Sequence, residues 1–219
     1  MAQWVKADKY WVMILIKDYS KRYGENIIVG IPKLELTGRL YWLKGENGSG
    51  KTTLLKSIAG LIPFDGNISV DGVELDKSRN KYKVIVNYAE AEPLYPEFLT
   101  GNDLIRFYLD VKKGNAQQLA KLIDIMGISE YIDRKVATYS SGMIKKLSLV
   151  LAFIGLPKLI LLDEPLITLD AKAVSNLQGL MESYIYDSTN FIITSHQEIA
   201  VPGSTLQTLL VANKTVSVL

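Results

Sequence analysis

The sequence contains no cysteine and only one histidine among its 219 residues. The lack of cysteine excludes disulfide bonds, thiol catalysis and cysteine-ligated metal sites. Long apolar runs are also absent: residues 11–16 and 150–156 fall well short of the roughly 20 residues that cross a bilayer. The net charge of +2 is too balanced for the basic surface that nucleic-acid binding needs, so we expect no nucleic-acid partner.

The composition is that of one globular domain, because 48% of the residues are hydrophobic and 22% are charged. We therefore expect a single domain over residues 1–219. The N-terminus lacks the long apolar centre and small-residue cleavage site of a secretory signal, so we expect the chain to stay in the cytoplasm. Residues 1–12 are a short extension, the result of a mis-assigned start, or a segment whose Trp4 and Trp11 pack onto the domain.

The order of the hydrophobic segments predicts an α/β fold. Near the N-terminus, the short runs 12–17, 26–31 and 39–43 are rich in β-branched and aromatic residues and together predict a mainly antiparallel sheet. Asp71-Gly72 predicts a hairpin. Residues 92–148 have helical periodicity and predict an inserted helical lobe. Later apolar runs alternate with helices and predict a buried parallel sheet. The predicted strands are 12–17, 26–31, 39–43, 68–70, 73–75, 84–88, 159–162, 191–194, 206–211 and 215–218; the predicted helices are 52–61, 101–111, 116–126, 142–154 and 171–185.

A glycine-rich segment after the strand 39–43 satisfies the P-loop pattern G-x-x-x-x-G-K-[ST]. Its glycines let successive N–H groups converge on phosphate oxygens, and the following helix adds the positive end of its dipole. Lys51 is predicted to hold the β- and γ-phosphates, and the Thr52 hydroxyl to ligate Mg²⁺. The predicted ATP-binding residues here are Gly45, Asn47, Gly48, Ser49, Gly50, Lys51, Thr52 and Thr53.

Two adjacent carboxylates end the apolar run 159–162. Asp163 and Glu164 therefore lie at the carboxyl end of a buried strand, where parallel sheets bind ligands. Asp163 suits the coordination shell of Mg²⁺, and Glu164 suits the base that orients or deprotonates an attacking water. Solvated acids at a strand end are the alternative, which the P-loop in the same chain makes less favourable.

With these motifs in order, the sequence resembles the ABC ATPases over nearly its whole length. Ser140, Ser141 and Gly142 stand about twenty residues before the acidic pair and resemble the Leu-Ser-Gly-Gly-Gln signature of that family. In the family, this segment faces the γ-phosphate bound to the other monomer. The residues themselves agree, because serines ahead of a helix are good N-caps and a helix N-terminus attracts anions.

The resemblance extends to three weaker matches. Asp170 resembles the D-loop aspartate that crosses to the partner subunit, although an aspartate before a helix is more often an N-cap. His196, in Thr-Ser-His, resembles the histidine that contacts the γ-phosphate. Tyr23 resembles the aromatic residue that stacks on adenine.

The resemblance implies a Mg²⁺-dependent ATPase that powers transport through a transmembrane permease subunit. Two ATP molecules are then buried in a head-to-tail dimer with a second ATP-binding subunit, expected to be a second copy of this chain. Glu164, His196 and Lys51 are the expected catalytic residues. The chain is then peripheral on the inner face of the cell membrane, with the permease reached through the helical lobe.

One departure from the family concerns its glutamine after the strand 84–88, which contacts Mg²⁺. The chain has Tyr-Ala-Glu-Ala-Glu-Pro there. Glu90 is predicted to take this position as a metal ligand, with Glu92 as the alternative.

Two other functions remain open from the sequence. A soluble ABC-type ATPase, not coupled to a membrane protein, carries the same motifs. A small-molecule kinase or GTPase also contains a P-loop, but the chain has no Asn-Lys-x-Asp guanine motif, and a kinase does not explain the signature-like segment. The transported substrate and its direction belong to the membrane partner and are not encoded in these motifs.

Overall fold

The computed structural model describes residues 13–197 and 199–219, so the predictions for residues 1–12 lie outside the described part. The strands are β1 Ile14–Tyr23, β2 Asn26–Leu36, β3 Leu40–Lys44, β4 Asp65–Val70, β5 Val73–Glu74, β6 Val86–Ala89, β7 Leu159–Asp163, β8 Asn190–Thr194, β9 Leu206–Ala212 and β10 Thr215–Val218. The helices are α1 Lys51–Ile58, α2 Arg79–Ile85, α3 Gly101–Lys112, α4 Ala116–Met126, α5 Ser141–Phe153 and α6 Ala171–Tyr186, with a 3₁₀ turn at Val136–Thr138.

A six-stranded sheet in the order β10-β9-β3-β8-β7-β6 forms the centre of the molecule. Its five strands from β9 to β6 are parallel, and only β10 is antiparallel to its neighbour. The predicted α/β fold with a parallel sheet is therefore confirmed. Because parallel strands present their carboxyl ends at one edge, the segments after β3, β6, β7 and β8 are brought together.

The second sheet is antiparallel and has the order β2-β1-β4-β5. The hairpin predicted at Asp71-Gly72 joins β4 to β5, and both residues have the positive φ angles, 52° and 76°, of a primed turn. The assignment of residues 39–43 to this sheet is wrong. β3 lies between β8 and β9 in the parallel sheet because Leu40, Tyr41 and Leu43 are buried, which suits a strand covered on both faces.

The alternating residues of β7 contribute to two hydrophobic clusters. Leu159 and Leu161 belong to the cluster shared with α1 and the antiparallel sheet. Ile160 and Leu162 belong to the cluster shared with α3, α4, α5 and α6. The parallel sheet is thus covered on both faces, which fixes the position of the site residues at its edge.

The helical segment predicted at 92–148 contains α3, α4 and most of α5, and no strand occurs within it. Its buried residues Leu104, Leu122 and Leu147 share a cluster with the sheet residue Ile160. The structure adds one helix that the sequence pattern missed, α2, so that β6 begins two residues later than predicted. None of the helices described is long and apolar enough to cross a membrane.

Candidate functional site

The P-loop connects β3 to α1, as its mechanism requires. Gly45 and Gly50 have φ angles of 156° and 104°, in the region that favours glycine. A Cβ atom at Gly50 would lie 2.5 Å from Cγ2 of Val29, and one at Gly45 would lie 2.6 Å from the carbonyl oxygen of Val211. Both glycines are therefore required by the path of the loop and by its close packing.

The Lys51 ammonium group lies over the loop. It donates hydrogen bonds to the carbonyl oxygens of Gly45, at 2.8 Å, and Glu46, at 3.0 Å. These bonds hold the ammonium group beside the first two residues of the P-loop. The P-loop therefore combines a positively charged side chain with a tight backbone turn, which is an arrangement that binds anions.

A cleft of about 370 Å³ brings most of the predicted nucleotide-site residues together. Its walls combine the P-loop with the start of α1, the end of β7, the segment after β8, and one residue each of β1 and β2. The cleft is lined by Tyr23, Ile28, Asn47, Gly48, Gly50, Lys51, Thr52, Thr53, Asp163, Glu164 and His196. Gly45 and Ser49 line an adjoining cavity of about 550 Å³ beside the β9–β10 hairpin.

Asp163 is buried at the carboxyl end of β7 and is held by two hydroxyl groups. The Thr194 hydroxyl donates to Oδ1 at 2.6 Å, and the Tyr88 hydroxyl donates to Oδ2 at 3.2 Å. Burial, together with the charge of Asp163, raises the pKa of Tyr88, so its hydroxyl stays protonated and can donate. Both carboxylate oxygens are thus fixed in orientation without a basic side chain.

Glu164 has a positive φ of 44°, which is unusual for a residue with a side chain. Its backbone N–H donates to the carbonyl oxygen, at 3.2 Å, and to the hydroxyl oxygen, at 2.9 Å, of Thr194. The carboxylate is 15% exposed, and its Oε1 lies 3.8 Å from Nε2 of His196. The predicted base and the predicted histidine are therefore neighbours at the mouth of the cleft.

The segment that carries His196 is attached to the sheet by Trp42. The indole Nε1 of Trp42 on β3 donates to the carbonyl oxygen of Ser195 at 3.0 Å. The imidazole itself is 68% exposed and projects into solvent beside Glu164. A lone histidine is most often structural, but the exposure of this one and its place in the lining of the cleft favour a role in the site.

Tyr23 lies at the end of β1, and its ring is 55% exposed on the wall of the cleft. The ammonium group of Lys21 lies 4.7 Å from the centre of this ring. One flat aromatic face is therefore presented next to the P-loop, as a stacking role requires.

Ser140, Ser141 and Gly142 form the start of α5 and do not line the cleft. The Ser140 hydroxyl accepts from the N–H of Met143 at 3.3 Å, and the N–H of Ser140 donates to Sδ of Met143 at 3.5 Å. The predicted N-cap is confirmed. Both serines are exposed, so the N-terminus of a long helix faces solvent.

Asp170 caps the next helix, α6, and accepts from the N–H of Ala173 at 2.8 Å. Its second carboxylate oxygen lies 2.7 Å from Nζ of Lys146 on α5. This hydrogen bond from Lys146, helped by that from Ala173, lowers the pKa of Asp170. A Cβ at Gly142 would lie 3.1 Å from the carbonyl oxygen of Thr168, so the start of α5 and the segment before α6 form one surface.

Glu90 does not line the cleft that holds Asp163 and Thr52. It lines a different cleft, between β6 and α3, and its carboxylate lies 3.7 Å from Nζ of Lys56. Among the described residues, no group of three or more histidine and acidic side chains could hold a metal ion. Metal binding by Glu90, or by the alternative Glu92, stays a prediction.

Sequence reasoning missed three residues that contact Asp163: Thr194, Tyr88 and Lys145. Thr194 ends β8, and a hydroxyl at the carboxyl end of a buried apolar strand is a signal that could have identified it. Tyr88 and Lys145 reach Asp163 from β6 and α5. Only the assembled sheet and helix reveal these two contacts.

Comparisons with known proteins agree with the geometry. The model of a family described as "ABC transporter" matches residues 35–167. The lantibiotic transport ATP-binding protein SrtF of Streptococcus pyogenes is 30% identical over 190 residues, which are 84% of this chain and 80% of that protein. The cytochrome c biogenesis ATP-binding export protein CcmA of Haemophilus influenzae is 32% identical over 202 residues, covering 90% and 94% of the two chains.

Solved structures of the same kind of protein share the fold of this chain. The structure of an ATP-binding subunit of an ABC transporter superposes with a TM-score of 0.83 at 22% identity. The superposition covers 94% of this chain and 90% of that one. The architecture is therefore shared well beyond the P-loop core.

Proposed function

Because this chain belongs to the ABC transporter family, we propose that it is an ATP-binding, ATP-hydrolysing subunit that powers transport through a separate transmembrane partner. The single observation that carries the proposal is the cleft of about 370 Å³, which we call the ATP cleft. In it the P-loop lies opposite Asp163, Glu164 and His196. A phosphate-binding loop alone explains binding. The acidic pair and the histidine at its mouth supply the groups that hydrolysis needs.

ATP is proposed to bind with its phosphates in the P-loop and its adenine on Tyr23. Lys51 turns from the carbonyl oxygens that it now contacts to the β- and γ-phosphates, where its charge offsets theirs. The N–H groups of the loop and the N-terminus of α1 add further positive potential. The exposed Tyr23 ring stacks on the base from one side of the cleft.

The residues present fit Mg²⁺, which prefers oxygen ligands and retains several waters. Asp163 offers a buried carboxylate and Thr52 a hydroxyl, and both line the cleft. When bound, Mg²⁺ would neutralise part of the phosphate charge. Thr194 and Tyr88 hold the Asp163 carboxylate in place before the ion arrives, which reduces the reorganisation that binding requires.

Hydrolysis is assigned to Glu164. Its carboxylate takes a proton from water as the oxygen attacks the γ-phosphorus; the bond to the bridging oxygen breaks, and ADP leaves. His196 contacts the γ-phosphate from the same side as Glu164, since the two side chains are 3.8 Å apart. Lys51 stabilises the negative charge on the phosphate oxygens during the transfer.

Replacing Thr194 by valine is expected to lower the turnover number about 10–100-fold, because losing a group that orients a metal ligand has that typical cost. Valine keeps the shape of the side chain but removes the hydroxyl that contacts Asp163 and Glu164. Phosphate release at saturating ATP measures the effect.

Thr189→Val is the matched control for Thr194. Thr189 is also buried, and its hydroxyl donates to the carbonyl oxygen of Pro157 at 2.8 Å, away from the acidic pair. Thr189→Val should lower the melting temperature but leave turnover within about 2-fold of wild type. An equal loss of turnover in both variants would contradict the role assigned to the Thr194 hydroxyl.

A second copy of the chain is proposed to complete each ATP site. The exposed N-terminus of α5, with Ser140, Ser141 and Gly142, lies outside the cleft of its own chain. The first N–H groups of a helix have no carbonyl partner within the helix. Such a terminus binds anions. Asp170 borders the same surface through Lys146 and is proposed to cross the interface with it.

Ser140→Arg is expected to abolish ATP-induced dimerisation, because the longer side chain occupies the space where the phosphate of the other chain approaches. The change is made in a Glu164→Gln background, which keeps ATP intact. Light scattering with and without ATP measures the molar mass in solution and so distinguishes the monomer from the dimer. Ser217→Arg, on exposed β10, is the control and should leave the dimer unchanged; a dimer that persists in Ser140→Arg would contradict the head-to-tail arrangement.

The transmembrane partner is proposed to dock on the cleft between β6 and α3, which we call the apolar cleft. It measures about 500 Å³ and is lined by Leu61, Leu94, Phe107 and Val111 among others. Leu94 is 91% exposed and Phe107 is 63% exposed. Large apolar side chains grouped on a surface are typical of a protein interface.

A further inference from the structure

Lys145 on α5 is a lysine whose side chain is buried, with only 1% of the residue exposed. Its ammonium group donates to three backbone carbonyl oxygens: Glu90 at 2.8 Å, Ala91 at 2.9 Å and Asp163 at 3.2 Å. An ammonium group has three N–H donors, so every donor is used. A buried cation with all its donors directed at backbone carbonyls fixes the relative position of the segments it contacts.

The burial of this group is costly and therefore points to a specific role. Burial lowers the pKa of Lys145 to about 8, against the opposing effect of the carboxylates of Asp163, Glu164 and Glu92. An apolar side chain would fill the same space without this cost. What the ammonium group supplies, and an apolar group does not, is a fixed link between three backbone segments.

Those three segments belong to different parts of the proposed machinery. Glu90 and Ala91 directly follow β6 and lead to Pro93 and Leu94 on the wall of the apolar cleft. Asp163 ends β7 at the ATP cleft. Lys145 itself lies on α5, the helix whose N-terminus faces solvent at Ser140.

A second contact, made by Tyr88, joins the wall of the apolar cleft to Asp163. Tyr88 on β6 lines the apolar cleft with its ring and donates from its hydroxyl to Oδ2 of Asp163. The backbone of Asp163 is therefore held from α5, and its carboxylate is held from β6 and β8. A shift of the segment after β6 is transmitted to Asp163 by both Lys145 and Tyr88.

We propose that Lys145 is a positioning residue that links the segment at the apolar cleft to Asp163 and thereby raises the affinity of the ATP site for Mg²⁺. This inference rests on the proposed function, because it assigns Asp163 to the metal. Lys145 contacts no substrate itself and acts through the backbone of Asp163. The glutamine that the family places after β6 is absent here, and Lys145 makes a connection at that point from another helix.

The test compares nucleotide affinity with Mg²⁺ and with EDTA in the full chain, using a non-hydrolysable ATP analogue and calorimetry. Lys145→Met keeps the length of the side chain and removes all three donors. In EDTA, the affinity of Lys145→Met for the analogue should stay within about 2-fold of the wild-type affinity, since the P-loop is unchanged. Adding Mg²⁺ should raise the affinity of Lys145→Met for the analogue by a factor about 10–100-fold smaller than in wild type. Loss of a residue that holds a metal ligand in place typically has this cost.

Lys112→Met is the matched control. Lys112 is partly buried, its pKa is also lowered to about 8 by burial, and it also donates to backbone carbonyls, those of Lys83 and, at 2.9 Å, Val86. It does not contact Asp163. Lys112→Met should lower the melting temperature without changing the gain from Mg²⁺, whereas a purely structural role of Lys145 predicts that the two variants behave alike.

The outcomes separate this inference from the function on which it rests. A wild-type chain that binds the analogue more tightly with Mg²⁺, together with a Lys145→Met chain that gains as much, overturns the role of Lys145 and leaves the ATP site intact. A wild-type chain that binds no nucleotide overturns the proposed function itself. If Lys145→Met does not fold, Lys145→Gln, which keeps two N–H donors on a shorter side chain, is judged by the same comparison.

Discussion

Replacing Lys51 by alanine is expected to weaken ATP binding about 100-fold, which corresponds to roughly 3 kcal/mol. Among the described residues that line the ATP cleft, Lys51 is the only lysine or arginine. Charge-assisted hydrogen bonds to phosphate are the strongest contacts available there. In the free chain the Lys51 ammonium group contacts the carbonyl oxygens of Gly45 and Glu46. Its loss therefore removes the main charge that offsets the phosphates.

Calorimetry of the purified full chain with ATP and EDTA measures this effect without the metal. Lys33→Ala is the control, because Lys33 is an exposed lysine of β2 paired with Glu35 at 2.8 Å. Its affinity should stay within about 2-fold of wild type. Unchanged affinity in Lys51→Ala would contradict the assignment of the phosphate site to the P-loop.

Replacing Glu164 by glutamine should lower the turnover number about 100–10,000-fold while ATP still binds, since general-base catalysis contributes this much. Glutamine has the same shape but cannot take a proton from the attacking water. The backbone bonds from Glu164 to Thr194 do not involve the carboxylate, so the strand end keeps its conformation. The P-loop is also unaffected.

Phosphate release and nucleotide affinity are measured on the same preparation of Glu164→Gln. Glu35→Gln, an exposed change on the antiparallel sheet, is the control and should retain full turnover. Near-normal phosphate release by Glu164→Gln would assign the base to another group. Weakened ATP binding in this variant would instead place Glu164 among the binding residues.

The parts of the site that the sequence predicts are those encoded locally. The P-loop, the apolar run of β7 and the N-cap of α5 each depend on a few consecutive residues, and the structure has all three where they were expected. α4 and β10 have the predicted bounds for the same reason. Periodicity and capping act over one or two turns and are readable without the rest of the chain.

The predictions that were wrong or incomplete depend on contacts between distant segments. The residues of β3 suit either sheet, and its parallel partners β8 and β9 come about 150 residues or more later in the chain, as shown by the pairs of Leu40 with Phe191 and Leu206. The three contacts to Asp163 likewise come from segments that are distant from it in the sequence, namely β6, β8 and α5. Glu90 lies on the wall of the apolar cleft, and its role as a metal ligand stays a prediction.

The most direct test of an ATP-driven transport subunit is the recovery of its membrane partner. The tagged full chain is purified from detergent-solubilised membranes of its own source, and co-purifying proteins are quantified by mass spectrometry. A Leu94→Asp, Phe107→Asp chain is compared with Leu156→Asp, which changes an equally exposed leucine outside the apolar cleft. We expect a polytopic membrane protein in stoichiometric amount with wild type and Leu156→Asp, and its loss with the double variant. Recovery of soluble partners alone, with the chain absent from membranes, would contradict the transport function and favour an ABC-type ATPase that works without a membrane protein.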